Sequence, residues 1–143
     1  MTLQKIAYTA EALSTGHGRD GHVRTSDDRV DLDMATPKEM GGSGSGANPE
    51  QLFAAGYSAC FHSALLLVAQ REGVKLDGET VGALVHIGPN GEGGFQLAVE
   101  LEVAIPGVAH EQAQALADAA HQVCPYSNAT RGNIDVTVVV SGD

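Results

Sequence analysis

The sequence predicts an α+β protein whose elements follow the order βββ-α-ββ-α-β, and three observations support this prediction. Apolar and polar residues alternate over 29–34 and again over 95–105, the pattern of strands with one solvent-facing side. An uncharged, apolar stretch, 52–69, lies between these strands and is long enough for a buried helix. An alanine-rich amphipathic segment follows at 109–122. We therefore expect antiparallel sheets around a long buried helix.

The first forty residues predict three strands. Residues 29–34 alternate strictly, and residues 21–26 are expected to pair with them through a turn of two aspartates. Residues 5–12 predict a preceding strand. A glycine-rich loop separates that strand from the hairpin and holds a lone Arg19.

The central helix has clear start and stop signals. Asn48 is a favourable N-cap, Pro49 suits the first helical position, and Gly73 can end a helix that runs to about Arg71. The stretch 52–69 is near the lower length limit for a membrane span. It contains several polar residues and is closely flanked by charges, so we expect a core helix that is apolar on all sides, and no membrane partner.

The second half returns to a two-residue period. Residues 80–87 predict a strand, and a Pro-Asn-Gly turn leads into the strand 95–105. Residues 109–122 predict an amphipathic helix that ends before a Cys-Pro pair. Residues 134–140 predict the last strand.

Composition limits the possible functions. The chain has 143 residues, 14.7 kDa and 43% hydrophobic residues, so residues 1–143 are expected to form a single domain. A net charge of −10 argues against nucleic-acid binding, and six aromatic residues (three Tyr, three Phe) argue against a base-stacking surface. The N-terminus lacks the apolar run of a secretory signal, which predicts a cytoplasmic protein.

Two cysteines are the first candidates for chemistry. Cys60 lies deep in the apolar helix, where a thiol is inert unless a nearby cation stabilises its thiolate. Arg19 can supply that charge from its glycine-rich loop, or be an ordinary surface residue. Nothing in the sequence shows whether Cys124, at the end of the second helix, reaches Cys60. Two inert, buried thiols are the alternative.

Glu50 is either a helix-start acid that interacts with the helix dipole or a site residue. It precedes Cys60 by ten positions, about 15 Å along a straight helix at roughly 1.5 Å per residue. The two residues can share a site only if the helix breaks near Gly56 or if Glu50 comes from a second subunit. A shared site therefore suggests a dimer.

A zinc-stabilised binding module is a different class of function. Cys60, His62, His121 and Cys124 formally supply the two-Cys, two-His set that zinc prefers. However, residues two apart on a helix point about 200° away from each other, so Cys60 and His62 are poorly placed to chelate one ion.

Two long motifs carry a family resemblance. Residues 48–61 read NPEQLFAAGYSACF and residues 123–134 read VCPYSNATRGNI; the Gly-Arg-Asp-Gly loop at 18–21 and the glycines at 41–42 fit the same pattern. With these motifs the chain resembles the organic hydroperoxide resistance (Ohr) proteins of the OsmC/Ohr family. The form around Cys124 looks like the Ohr branch. His17 stands where a small residue is more usual.

The resemblance implies an intertwined homodimer with two active sites at the subunit interface, and a thiol peroxidase that reduces organic hydroperoxides, including those of fatty acids. Cys60 matches the peroxidatic cysteine, Cys124 the resolving cysteine, Arg19 the activating arginine and Glu50 its carboxylate partner. The implied reductant is a dihydrolipoyl group on a carrier protein, with no metal or flavin required.

The apolar neighbours of Cys60 have two interpretations. Phe53, Tyr57 and Phe61 can favour alkyl hydroperoxides over hydrogen peroxide as substrate-binding residues, or they can simply pack the core. Two further alternatives remain open. One is a broader OsmC-type peroxidase with another substrate or reductant, and the other is a non-catalytic dimeric scaffold with buried thiols.

Overall fold

The computed structural model describes residues 2–141, and the chain divides into two compact units at the boundary between Pro49 and Glu50. The elements in chain order are β1 (Ala12–Thr15), β2 (His22–Thr25), β3 (Asp31–Asp33), α1 (Pro49–Arg71), β4 (Thr80–Pro89), β5 (Phe95–Ala104), α2 (His110–Val123), α3 (Pro125–Thr130) and β6 (Val136–Val140). The architecture is α+β, as the sequence predicts. The single domain expected for residues 1–143 stays a prediction.

The first unit contains an antiparallel sheet of order β1-β2-β3. The expected β2–β3 hairpin is confirmed. Its turn places Asp28 in the left-handed region (φ 63°), and the Asp27 carboxylate accepts hydrogen bonds from the Thr25 hydroxyl and the Arg29 amide. A local aspartate bond of this kind explains why two aspartates suit the turn.

The prediction of a strand over residues 5–12 is wrong. The strand β1 begins only at Ala12, and residues 2–11 are exposed, including the apolar Leu3, Ile6 and Tyr8. Strand-forming residues need a neighbouring strand to pair with, and within residues 2–141 positions 5–11 have no ladder partner.

Helix α1 begins and ends where the sequence predicts. At its end Gly73 has a positive φ of 69°, and the Val74 amide donates to the Ala69 carbonyl, closing the last turn. Its burial differs from the expectation of a helix covered on all sides. The buried residues form one stripe (Tyr57, Phe61, Ala64, Leu65, Val68 and Ala69). Leu66 and Leu67, outside this stripe, are 45% and 37% exposed, because the rest of the second unit covers one face.

Among the described residues, α1 is the one helix long and apolar enough to cross a membrane, by length and composition alone. A third of its most apolar window (33%) is buried against the protein. Core helices of soluble proteins pass the same test, so the finding is weak evidence for a membrane span.

The second unit contains a sheet of order β4-β5-β6. Strands β4 and β5 are antiparallel, and the predicted alternation along β5 is confirmed by the burial of Val99, Leu101 and Val103. The sheet is mixed, since β6 runs parallel to β5. This corrects the expectation of antiparallel sheets throughout. The chain crosses over through two helices between β5 and β6, the connection that parallel neighbours require.

The core of the second unit joins α1, α2 and this sheet. Its largest fully buried side chains include Tyr57, Phe61, Leu65, Leu101 and Leu116. The predicted second helix is confirmed as α2, within a residue at each end. The short helix α3 was not predicted. It begins at Pro125, directly after Cys124, so that Cys124 lies at the junction of two helices.

Candidate functional site

The structure brings the two cysteines together. Cys124 lies with its Sγ 3.4 Å from the Sγ of Cys60, neither cysteine is in a disulfide, and the Cys124 thiol donates toward Cys60. Cys124 is fully buried and Cys60 is half-buried. A disulfide has an S–S length of about 2.05 Å, so the two sulfurs need to approach by roughly 1.3 Å to bond. This pair is separated by 64 positions in the chain.

The backbone holds Cys124 at the helix junction. Its amide donates to the Ala120 carbonyl of α2 at 2.9 Å, and its carbonyl accepts from the Asn128 amide of α3 at 3.0 Å. Its extended backbone (φ −59°, ψ 123°) breaks the helix between these two bonds and separates α2 from α3. Pro125 then starts α3, because proline suits the first position of a helix.

Burial raises the pKa of the Cys60 thiol above its usual range, because a thiolate is poorly solvated there. The backbone N–H of Tyr126 donates toward Cys60 and lowers the pKa, but by less. Cys124 raises the pKa again, through its side-chain hydrogen bond with Cys60 and, to a smaller extent, through the repulsion between two thiolates. Within the second unit, the balance of these effects favours the neutral thiol.

Three aromatic rings come from α1 and α3, the helices that adjoin the cysteine pair. Phe53, Tyr57 and Tyr126 contact one another, with ring centroids 5.6–6.0 Å apart. Tyr126 lies directly over Gly56. A Cβ at Gly56 would come within 2.8 Å of the Tyr126 hydroxyl, so the tyrosine holds this position only beside glycine and would have to shift for a larger residue. Phe61 is fully buried in the core beside His121. The substrate-binding role suggested for Phe53, Tyr57 and Phe61 stays a prediction.

Buried polar side chains form a network beside the pair. The Tyr57 hydroxyl lies 2.7 Å from the Ser127 Oγ and 3.1 Å from the Thr130 Oγ1, and His121 Nδ1 lies 2.8 Å from the same Ser127 Oγ. Burial lowers the pKa of His121, and the positive charge of Arg131 lowers it further. This network was not predicted from the sequence. Its signal was the polar spacing of Ser127 and Thr130 after Cys124.

Arg19 lies in a one-turn 3₁₀ helix, Gly18–Asp20, in the first unit. The Asp20 carboxylate accepts bonds from the amide and the hydroxyl of Thr36, which fix the turn and lower the pKa of Asp20. A Cβ at Gly21 would come within 2.1 Å of the Thr15 carbonyl oxygen, so this loop also requires glycine. Whether Arg19 acts on Cys60 stays a prediction.

Glu50 lies in the first turn of α1, in the second unit. The helix runs without interruption from Pro49 to Arg71, so there is no break near Gly56. Glu50 and Cys60 of one chain are therefore about 15 Å apart along α1, at roughly 1.5 Å per residue. Glu50 and Cys60 were expected to share a site either through a break in the helix or through a second subunit. Because the helix is unbroken, they can share a site only if Glu50 comes from a second subunit.

The geometry does not favour the zinc module. His62 Nε2 is buried 3.3 Å from Glu79 Oε1 without a hydrogen-bond partner in the described chain, and His121 is engaged with Ser127. Within residues 2–141 no three His, Cys, Asp or Glu side chains are grouped closely enough to hold a metal ion.

Fold and site together define a class: an α+β protein with a pair of free cysteines at a helix junction. Family comparison is more specific. The model of the OsmC-like protein family matches residues 42–139, more than half of the chain. The protein belongs to the OsmC/Ohr family, as its motifs predicted.

Relatives match over nearly the full length. The organic hydroperoxide resistance protein of Xanthomonas axonopodis pv. citri is 52% identical over 140 residues, covering 96% of this chain and 97% of the relative. The organic hydroperoxide resistance protein OhrB of Bacillus subtilis is 43% identical over 129 residues, covering 90% and 94%.

Solved structures confirm the fold class. The crystal structure of an organic hydroperoxide resistance protein from Legionella pneumophila superposes with a TM-score of 0.92 at 48% identity, covering 96% of this chain and 99% of that one. A second, from Vibrio cholerae, has captopril bound in one of its active sites; it superposes with a TM-score of 0.93 at 51% identity, covering 99% and 97%.

Proposed function

We propose that the protein is a cysteine-based peroxidase that reduces organic hydroperoxides, both alkyl and fatty-acid, to alcohols and so confers resistance to oxidative stress. The observation that carries the proposal is the 3.4 Å distance between the sulfurs of Cys60 and Cys124. The names of relatives at 43–52% identity supply the substrate class. A non-catalytic scaffold would not need two free thiols in contact with each other.

In the first step the Cys60 thiolate attacks the terminal peroxide oxygen. The O–O bond breaks, the sulfur takes up one oxygen as sulfenic acid, and the alkoxide leaves and is protonated to the alcohol. The partial exposure of Cys60 lets a peroxide reach it, whereas Cys124 is fully buried. This contrast is the reason to assign the attack to Cys60.

In the second step the Cys124 sulfur attacks the Cys60 sulfenic acid. An S–S bond forms, the S–O bond breaks, and water leaves with the proton of the Cys124 thiol. An external dithiol then reduces the disulfide by thiol–disulfide exchange and is itself oxidised to a disulfide. We propose a dihydrolipoyl group on a carrier protein as that dithiol.

Because the pKa of Cys60 is raised, its thiolate needs a nearby cation to stabilise it, and we assign that role to Arg19. Its guanidinium would stabilise the thiolate and bind the peroxide oxygens, held in place by a charge-assisted pair with Glu50. Because α1 is unbroken, the proposal includes a homodimer in which Glu50 and Cys60 of one site come from different subunits. We place this dimer in the cytoplasm.

Paired variants test the proposal. In Cys60→Ser we expect organic peroxidase turnover with a dithiol reductant to be abolished. Cys124→Ser is the matched control, because it also removes one thiol. It should react once with peroxide and then accumulate sulfinic or sulfonic acid at Cys60. Substantial turnover by Cys60→Ser, or a Cys60 that stays reduced in Cys124→Ser, would contradict the assignment.

A further inference from the structure

The polar network beside the cysteines connects the elements that carry them. Tyr57 is on α1, one turn before Cys60. Ser127 belongs to α3, which begins right after Cys124, and His121 lies in the last turn of α2 before it. Ser127 Oγ is the centre of the network, since both the Tyr57 hydroxyl and the His121 ring approach it within 2.8 Å.

The network is buried and its hydrogen bonds form one continuous chain. Tyr57 and Ser127 are fully buried and Thr130 nearly so, and the Thr130 hydroxyl donates to the Ser127 carbonyl. With His121 Nδ1–H as the first donor, each hydroxyl can accept one bond and donate the next, from His121 to Ser127, Tyr57 and Thr130. A buried chain satisfied in this way holds its members in one geometry.

A second set of hydrogen bonds links α2 and α3 on the exposed side of the same junction. The Arg131 guanidinium donates to the His121 carbonyl at 2.9 Å and also binds the Asn128 side chain. Arg131 is exposed, and these bonds link α2 to α3. The inner network differs because it also includes α1, the helix that carries Cys60.

From this arrangement we infer that Ser127 and His121 are positioning residues for disulfide formation. They hold the Cys124 junction against α1, so that the Cys124 sulfur stays within about 3.4 Å of Cys60. This inference rests on the proposed function and deepens it. The network serves the second step, the attack of Cys124 on the Cys60 sulfenic acid. It does not serve the first step, in which Cys60 meets the peroxide.

The consequence is a competition at the Cys60 sulfenic acid. Attack by Cys124 gives the disulfide, and a second peroxide gives sulfinic acid. Loosening the Cys124 junction slows disulfide formation and leaves the rate of oxidation to sulfinic acid unchanged. The ratio of disulfide to sulfinic acid at a fixed peroxide concentration therefore reports on positioning, whereas a loss of stability alone does not change it.

The test is rapid-quench mass spectrometry of reduced protein with an organic hydroperoxide, in wild type and Ser127→Ala. We expect Ser127→Ala to lose reduced Cys60 at the wild-type rate and to form the disulfide at least about 5-fold more slowly, because the change removes two buried hydrogen bonds, those to Tyr57 and His121. Sulfinic acid should rise accordingly. Val103→Ala, a core change in β5, is the control for general destabilisation.

A second pair of variants keeps the test decisive if Ser127→Ala folds poorly. His121→Asn retains a side-chain amide where Nδ1 lies and should keep the wild-type ratio, whereas His121→Leu should shift it toward sulfinic acid. Equal ratios in these two variants, or the same shift in Val103→Ala as in Ser127→Ala, would overturn the positioning role. A wild-type protein that forms no disulfide would instead refute the proposed function itself, and the inference with it.

Discussion

The Tyr57 hydroxyl offers a sharp test of how the site is held together. The change Tyr57→Phe removes one oxygen atom and keeps the ring, which is fully buried in the core. That oxygen is bonded to Ser127 at 2.7 Å and to Thr130 at 3.1 Å. Both partners keep another bond, Ser127 with His121 and Thr130 with the Ser127 carbonyl.

The expected cost follows from these contacts. A typical intramolecular hydrogen bond contributes about 1 kcal/mol net, and a buried polar group that loses its partner costs about 1–3 kcal/mol. Because Ser127 and Thr130 each retain one bond, we expect the lower part of that range, about 1–2 kcal/mol of unfolding free energy. At roughly 2–5 °C per kcal/mol for a chain of this size, the midpoint of thermal unfolding should fall by several degrees.

Denaturant unfolding followed by circular dichroism measures this cost at one fixed protein concentration, since association would add to the apparent stability. Tyr8→Phe is the matched control: the same atom is removed from a ring that is 79% exposed, and stability should change by less than about 0.5 kcal/mol. If Tyr57→Phe is as stable as wild type while Tyr8→Phe behaves as expected, the network does not contribute to the junction.

Three further predictions concern the site. Arg19→Lys should slow the reaction of Cys60 with peroxide at least about 10-fold, measured by stopped flow, because lysine lacks the planar two-pronged donor; an unchanged rate removes Arg19 from the mechanism. Gly56→Ala gains up to about 1 kcal/mol of helix propensity, but its Cβ displaces the Tyr126 hydroxyl. The change should therefore be more favourable to stability in the Tyr126→Phe background than in wild type, and an equal effect in both backgrounds contradicts the contact. The pKa of His121, followed by NMR, should lie below its ordinary value of about 6.5 and should rise in Arg131→Gln. As the pH falls from about 6.5 through the folded-state pKa, the protein should lose stability, because the unfolded chain then binds a proton that the folded chain does not. A normal or raised pKa refutes the burial argument.

Local patterns in the sequence predicted much of the fold. Alternation identified β5 and the β2–β3 hairpin, and the signals at Pro49 and Gly73 placed both ends of α1, because these features depend on neighbours in the chain. The sequence was less informative where a structural feature depends on residues far away in the chain. The parallel pairing of β6 depends on the crossover, and the lack of a strand at 5–11 depends on a missing partner. The helix α3 is six residues long, too short for a periodic signal.

For the candidate site too, the sequence predicted the local features and missed those that depend on tertiary packing. Cys60 and Cys124 were identified as candidates, and a resemblance of motifs suggested their roles, but no sequence spacing places residues 64 positions apart at 3.4 Å. The network of Tyr57, His121 and Ser127 joins three helices, and its local signal is confined to the spacing of the polar residues after Cys124. Such contacts arise from tertiary packing, which single-sequence periodicity does not contain.

The most direct test of the central claim is the intact mass of the reduced protein after one equivalent of an organic hydroperoxide. The proposed mechanism predicts a rapid loss of two hydrogens per chain and, after digestion, a peptide in which Cys60 is joined to Cys124. A protein whose mass does not change, or one that gains oxygen without forming that peptide, would contradict the assignment of these two cysteines as a catalytic pair.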